Sequence, residues 1–212
     1  MDEIDQWLTK VYEAAGDQQR LNQIYDQWAM HYDRHLWSIG NPFVAIAAGM
    51  VGRLIRDSNS TILDAGCGTG NLGQILHHIG YRNLDGLDPS PGMLEIAKRK
   101  QIFRHVYQLS LGGGADLPVE NYDAVVSTGV LTSGHAPTGA LDDLLRLVKV
   151  SGVVIFSLSK QAKEELGFGE KMTDLSRNKR WQALERSQSF SAHPFSETEA
   201  HVKLRVYAFS KL

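Results

Sequence analysis

Three glycines at alternate positions, Gly66, Gly68 and Gly70, follow an apolar run that ends in an acid and a small residue, Ile62-Leu63-Asp64-Ala65. No other feature restricts the fold of this 212-residue chain as strongly. Thr61–Ala65 reads as a buried strand, and glycines placed after it let backbone approach a ligand with no Cβ in the way. A helix is expected from about Asn71 to Ile79, with Gly80 at its end. The same strand-and-helix texture then recurs. Asn83–Leu87 reads as a strand ending at Asp88, and Ser90-Pro91 caps and starts a helix running to about Lys100. Tyr122–Ser127 is expected as a strand, Thr138–Val150 as a helix and Val153–Ser157 as a fully buried strand. This alternation predicts an α/β fold with a parallel, doubly wound sheet. Trp181–Gln188 and Val202–Ser210 read as strands with no helix between them, suited to an antiparallel pair at the sheet edge.

The first forty residues are helical in pattern. Leu21, Tyr25, Trp28 and Tyr32 recur on one helix face. A second helix is expected with Asn41 as N-cap and Pro42 at its first position, burying Val44, Ala47, Ala48, Val51, Leu54 and Ile55 and ending near residues 57–60.

Composition removes several function classes. Lysine plus arginine number 22 against 24 acids, a net charge of −2, and no run of like charge offers a grip on phosphate backbones; a nucleic-acid partner is not expected. The single Cys67 excludes a disulfide framework or a multi-thiolate zinc site, and no metal site is expected. Phe43–Val51, the longest apolar run, is far shorter than the roughly 20 residues of a membrane span, so no membrane partner is expected. Residues 1–5 are acidic and lack the pattern of a signal peptide. A cytoplasmic location is the expectation.

Asp88 ends the second strand, 22 residues after Gly66, where a carboxylate can accept bonds from both hydroxyls of a ribose. Three nucleoside-site types compete for this arrangement. A dinucleotide site needs its third glycine at position 71, which is Asn, and a P-loop needs Gly-Lys-Ser/Thr, which is absent. Asp64-Ala65-Gly66-Cys67-Gly68-Thr69-Gly70 instead matches every fixed position of (Asp/Glu)-x-Gly-x-Gly-x-Gly, the S-adenosylmethionine signature of class I methyltransferases. Asp88-Pro89-Ser90-Pro91-Gly92-Met93-Leu94 resembles that family's second segment. Tyr25-Asp26-Gln27-Trp28-Ala29-Met30-His31-Tyr32-Asp33 resembles the N-terminal Tyr-Asp-x-Trp-Ala-x-x-Tyr-Asp segment of many small-molecule methyltransferases. Residues 127–137 look like a segment of the methyltransferase-like proteins named after the Williams–Beuren deletion region. The resemblance covers roughly residues 10–160.

The resemblance implies a Rossmann-like, seven-stranded class I methyltransferase sheet. It would be mostly parallel with an antiparallel C-terminal strand, with helices on both faces and an N-terminal helical lid. One domain, 1–212, is then expected: lid 1–57, cofactor core 58–160, and C-terminal strands with a substrate-side segment, 161–212. S-adenosylmethionine is the implied cofactor and a small molecule with an O or N nucleophile the implied acceptor. In the family picture Gly66, Gly68 and Gly70 face the methionyl and ribose parts, Asp64 serves the methionyl ammonium and Asp88 holds the ribose. Met93 or Leu94 packs on the adenine, with Pro89 and Ser127 also at the cofactor. Tyr32 belongs to the lid, with a contact or catalytic role. Tyr25, Trp28 and His135 fall on the substrate side, with His135 as candidate general base on the loop after the fourth strand.

Three departures from the family pattern stand out. Ser133 replaces a usual His, and Lys149-Val150-Ser151-Gly152 replaces Lys-Pro-Gly-Gly. Gly112-Gly113-Gly114 occupies the place of the acid that meets the adenine amine, leaving Asp116 as nearest candidate. The first and third departures admit a catalytically silent cofactor-binding sensor or scaffold as the alternative.

Overall fold

The computed structural model describes residues 3–114 and 116–212. The N-terminal helical stretch is two helices, α1 (Glu3–Glu13) and α2 (Gln18–Ile39), parted by a turn in which the Asp17 side chain caps α2 by accepting from Arg20 N at 3.0 Å. Helix α3 (Pro42–Leu54) starts at the expected proline, but Asn41 makes no side-chain cap bond, and its Oδ1 is buried without a partner. Pro42, whose ring fixes φ for the first turn, and the burial of Phe43 and Val44 define this start instead.

Alternating strands and helices follow: β1 (Ile62–Ala65), α4 (Asn71–His78), β2 (Leu84–Asp88), α5 (Pro91–Arg99), β3 (His105–Gln108), β4 (Tyr122–Leu131), α6 (Ala140–Leu147) and β5 (Val148–Ser159). After them come α7 (Lys160–Glu165), α8 (Phe168–Arg177), β6 (Trp181–Arg186), β7 (Phe190–Ser191) and β8 (Lys203–Lys211). Seven strands lie in the order β3-β2-β1-β4-β5-β8-β6, and the two-residue β7 pairs with β8. β3 through β5 are parallel, and β8 runs antiparallel between β5 and β6. The seven-stranded, mostly parallel sheet with its antiparallel C-terminal strand is thus present.

Helices cover both faces. Leu141, Leu144 and Leu145 of α6 and Phe168 of α8 pack with Leu63, Val125 and Phe156 on one side of the sheet. Val44, Ala47 and Val51 of α3 and Leu72 and Leu76 of α4 pack with Ile62, Val126 and Ile155 on the other. A third core, which includes Ile4, Leu21, Trp28 and Leu36, joins α1 to α2.

The expected helix Thr138–Val150 ends at Leu147, because Val148 already pairs with Tyr122 as the first residue of β5. β3 had no sequence signal: an edge strand buried on neither face carries no apolar alternation. Chain order reverses between β1 and β4, and open α/β sheets hold their ligands at such a switch point.

Candidate functional site

The carboxyl ends of β1, β2 and β4 open into a cavity enclosing about 720 Å³ of non-atom space, part of it open to solvent. Gly66 and Gly68 form its floor, Asp88, Pro89, Ser90 and Met93 one wall, and Thr128–Val130 with His135 the opposite wall. α2 roofs it through Tyr25 and Tyr32.

The glycine requirement is strictest at Gly66. Its φ is +86°, and a Cβ there would stand 2.1 Å from Val130 Cγ2. The turn is tied to β2, since Gly68 N donates to Asp88 Oδ2 and Ser90 N donates to Asp88 Oδ1, each at 2.9 Å. These bonds use one lone pair on each oxygen and leave another on each, in a carboxylate that lines the cavity. Burial lifts the Asp88 carboxyl to about 6 against the pull of those two amides, with Asp26 adding repulsion. Asp64 is buried; its Oδ2 accepts from Gly73 N at 3.2 Å, while Oδ1 has no partner. Burial outweighs the Gly73 bond and pushes Asp64 up to about 7.

Two aspartates latch the roof helix. Asp26 Oδ1 accepts from Ser90 Oγ at 2.6 Å and from Gly92 N at 2.8 Å, at the start of α5. Seven residues on, Asp33 Oδ1 accepts from Thr69 Oγ1 at 2.5 Å and its Oδ2 pairs with Lys100 Nζ at 2.7 Å. Two helical turns bring both acids onto one face. Tyr25 and Tyr32 share the same spacing and line the cavity.

His135 sits at the cavity's far end. Its Nδ1 lies 2.9 Å from Ser133 O, a pure acceptor, so Nδ1 carries the proton and Nε2 the lone pair. Tyr25 Oη, 2.7 Å away, donates to that Nε2. Burial holds His135 below the usual histidine range, with the Ser133 bond opposing, and burial raises the Tyr25 phenol well above its own. At neutral pH the pair is a neutral imidazole facing a protonated phenol.

A second cavity lies beyond this pair, with Tyr25, Tyr32, Gly129 and His135 common to both linings. It encloses about 770 Å³ of non-atom space and takes walls from α1, α2 and residues 192–204. Trp28 lines only this chamber, bonding through Nε1 to His35 Nδ1 at 2.9 Å.

Tyr25 and His135, expected on the substrate side, line both cavities, as does Tyr32; of the residues expected at the cofactor, Tyr32, Gly66, Gly68, Asp88, Pro89 and Met93 line the first. Four others do not line it. Asp64 stands behind the turn, Gly70 is the N-cap of α4, and Ser127 is buried with its Oγ donating to Ala65 O at 2.7 Å. Asp116 is exposed. The glycine tract has its own structural reason, because a Cβ on Gly112 would sit 2.4 Å from Pro137 Cγ, and Asp143 Oδ2 accepts from Gly112 N at 2.7 Å. Burial pushes the Cys67 thiol up, which leaves it a packing group. Among the described residues no cluster of acids, histidines or cysteines could hold a metal ion, and no helix is long and apolar enough to cross a membrane.

The site fits S-adenosylmethionine on the structure's own terms: an open cradle over Gly68, a cavity-facing acid with unused lone pairs, and a buried carboxylate oxygen lacking a donor. Residues 63–156 match the family model of the methyltransferase domain. Within those residues the chain carries the domain of the class I S-adenosylmethionine-dependent methyltransferases. It is 31% identical to human methyltransferase-like protein 27 over 133 residues, 61% of this chain and 54% of that protein. Malonyl-[acyl-carrier protein] O-methyltransferase of Serratia marcescens is 36% identical over 107 residues, covering 50% of this chain and 41% of the relative. The chain thus spans about half the length of these curated relatives. A TehB-like S-adenosylmethionine-dependent methyltransferase from Corynebacterium glutamicum has the same fold, with a TM-score of 0.59, 22% identity, and coverage of 89% of this chain and 98% of that one.

The raised carboxyl values set a pH expectation. The folded, ligand-free protein binds more protons than the unfolded chain between the ordinary aspartate value, about 4, and the Asp64 value of about 7, so these groups' contribution to stability is lost as pH rises through that window. Hydroxyl and ammonium donors favour the ionised forms. S-adenosylhomocysteine affinity should therefore fall as pH drops from about 8 to 5, with proton uptake on release measurable by calorimetry in buffers of different ionisation enthalpy. Asp88→Ala should weaken binding at least about tenfold at the upper end and flatten the profile. A flat wild-type profile would refute the assignment of these carboxylates to the cofactor.

Proposed function

We propose that the protein transfers a methyl group from S-adenosylmethionine to an oxygen or nitrogen of a small molecule held in the second cavity. The observation that carries this is the Tyr25–His135 pair, which stands where the two chambers meet with a lone pair on Nε2. When bound, the cofactor supplies a sulfonium methyl with a neutral thioether as leaving group, so the chain's main tasks are alignment and exclusion of water. Asp88 holds ribose hydroxyls, the Gly66–Gly68 backbone takes the methionyl side, and Asp64, set behind that turn, serves the ammonium through water. Pro89, Met93 and Leu111 enclose the adenine. Tyr32 closes the roof, and its phenol, raised by burial, stays protonated. His135 accepts the acceptor's proton at Nε2, directly or across the Tyr25 hydroxyl.

The lining also argues about acceptor type. Among the described residues no lysine or arginine lines the second cavity, so an acceptor's carboxylate or phosphate would enter it without a counter-charge. That supports a neutral or cationic small molecule over a carboxylate or a nucleic-acid backbone. Turnover tests it: S-adenosylhomocysteine release measured against a panel of phenols, amines and carboxylates should respond to a phenol or amine. Binding of the cofactor with no turnover across the panel would turn the assignment to a sensor.

A further inference from the structure

The lining of the second cavity includes a carboxylate with no lysine or arginine partner. Glu199 is 8% exposed and lines the chamber. Tyr12 Oη donates to its Oε2 at 2.6 Å, and among the described residues no lysine or arginine pairs with it. The neighbouring His193 offers no charge: its Nδ1–H donates to Gly40 O at 2.9 Å, and burial keeps its pKa below the ordinary value. A carboxylate removed from water and left without a cation is costly, so a ligand that supplies the cation gains from it. Aromatic rings of Tyr12, Tyr25, Trp28, Tyr32 and Phe43 line the same chamber, and ring faces attract cations as well. The remainder of the lining mixes aliphatic groups, including Leu8, Leu36, Leu131 and Leu204, with the hydroxyl residues Thr132, Ser157 and Ser159.

We propose that the second cavity selects an acceptor bearing a protonated amine, seated on Glu199 beside Tyr12, with an apolar or aromatic body lying between that anchor and the nucleophile at His135. This rests on the methyl-transfer assignment of the first cavity. Glu199 acts as the specificity residue, a separate group from the proton acceptor. No sequence motif marks it, since residues 193–204 lie outside the stretch that resembles the methyltransferases.

Three matched probes test the proposal: tyramine, 4-ethylphenol and 3-(4-hydroxyphenyl)propanoate, which share a phenol and differ in the charge of the tail. Calorimetry with the whole chain in the presence of S-adenosylhomocysteine should show tyramine binding at least about tenfold tighter than 4-ethylphenol, the scale of one charge-assisted bond, and the propanoate binding weakest. Glu199→Gln keeps an acceptor for Tyr12 and should erase the tyramine preference while 4-ethylphenol affinity holds. Glu199→Asp keeps the charge and should leave tyramine the preferred probe. Equal binding of tyramine and 4-ethylphenol by wild type, tighter binding of the propanoate, or a preference that survives Glu199→Gln would overturn the proposal. The wild-type comparison decides even where a variant fails to fold. S-adenosylhomocysteine titrated alone separates the two assignments: its failure to bind, with the tyramine preference intact, would overturn the methyl-transfer assignment and uphold the anchor.

Discussion

Replacing His135 by alanine should lower kcat by about 10²–10⁴ on a phenolic acceptor, the range that a positioned general base contributes. The expectation rests on the tautomer set by Ser133 O, which leaves Nε2 unprotonated, and on burial, which keeps the ring neutral at the pH of the assay. S-adenosylhomocysteine affinity should stay within about twofold, because the imidazole closes the end of the cavity and bonds only to Tyr25 and Ser133. An amine acceptor that arrives unprotonated needs no base, so with such a substrate the same change should act on KM. Activity should also decline on acidification as Nε2 takes a proton, with a midpoint below the ordinary histidine value. Unchanged kcat and KM with a phenol would remove His135 from the mechanism.

Gly66→Ala should damage both folding and cofactor binding. An L-residue at φ +86° carries roughly 1–2 kcal/mol of strain. The added methyl would also overlap Val130, whose Cγ2 would be 2.1 Å away. Overpacking of this kind costs about 1–3 kcal/mol, and what movement relieves it displaces the cavity floor. A fall of several degrees in Tm with at least about tenfold weaker S-adenosylhomocysteine binding is expected. The double variant Gly66→Ala/Val130→Ala separates the two causes: it should regain the overlap part and keep the dihedral part. A single variant with wild-type Tm and affinity would show that the turn tolerates a side chain.

The strand, glycine turn and acid at 62–70, and the acid ending β2, were legible because their function imposes residue type at fixed chain positions. Glycine is required where backbone meets ligand or a neighbouring strand, and Asp88 where two amides and a cavity converge. The α2 stripe was legible as a face, but its aspartates were not singled out: Asp26 and Asp33 reveal their role only when α5 and the glycine turn are packed beneath them. Asp64 and Ser127 stand behind the cavity wall for a reason invisible in sequence: Asp64 Oδ2 and Ser127 Oγ bond the backbone that supports it, while Asp64 Oδ1 is left without a partner. α7 is short and β3 is exposed at an edge, so neither carries a sustained apolar period, and the stripe of α8, Phe168, Met172 and Leu175, spans only ten residues. The second chamber was least legible of all, because its walls come from α1, α2 and residues 192–204, far apart in the chain.

The position of α2 has a kinetic consequence. One helix roofs the first chamber and walls the second through the same two tyrosines, and Asp26 and Asp33 pin it to α5 and to the glycine turn. Any route that frees the nucleoside by swinging this helix away also dismantles the room in which the acceptor sits. On the proposed reading, acceptor binding and nucleoside exchange by that route would draw on a single moving part and exclude each other in time.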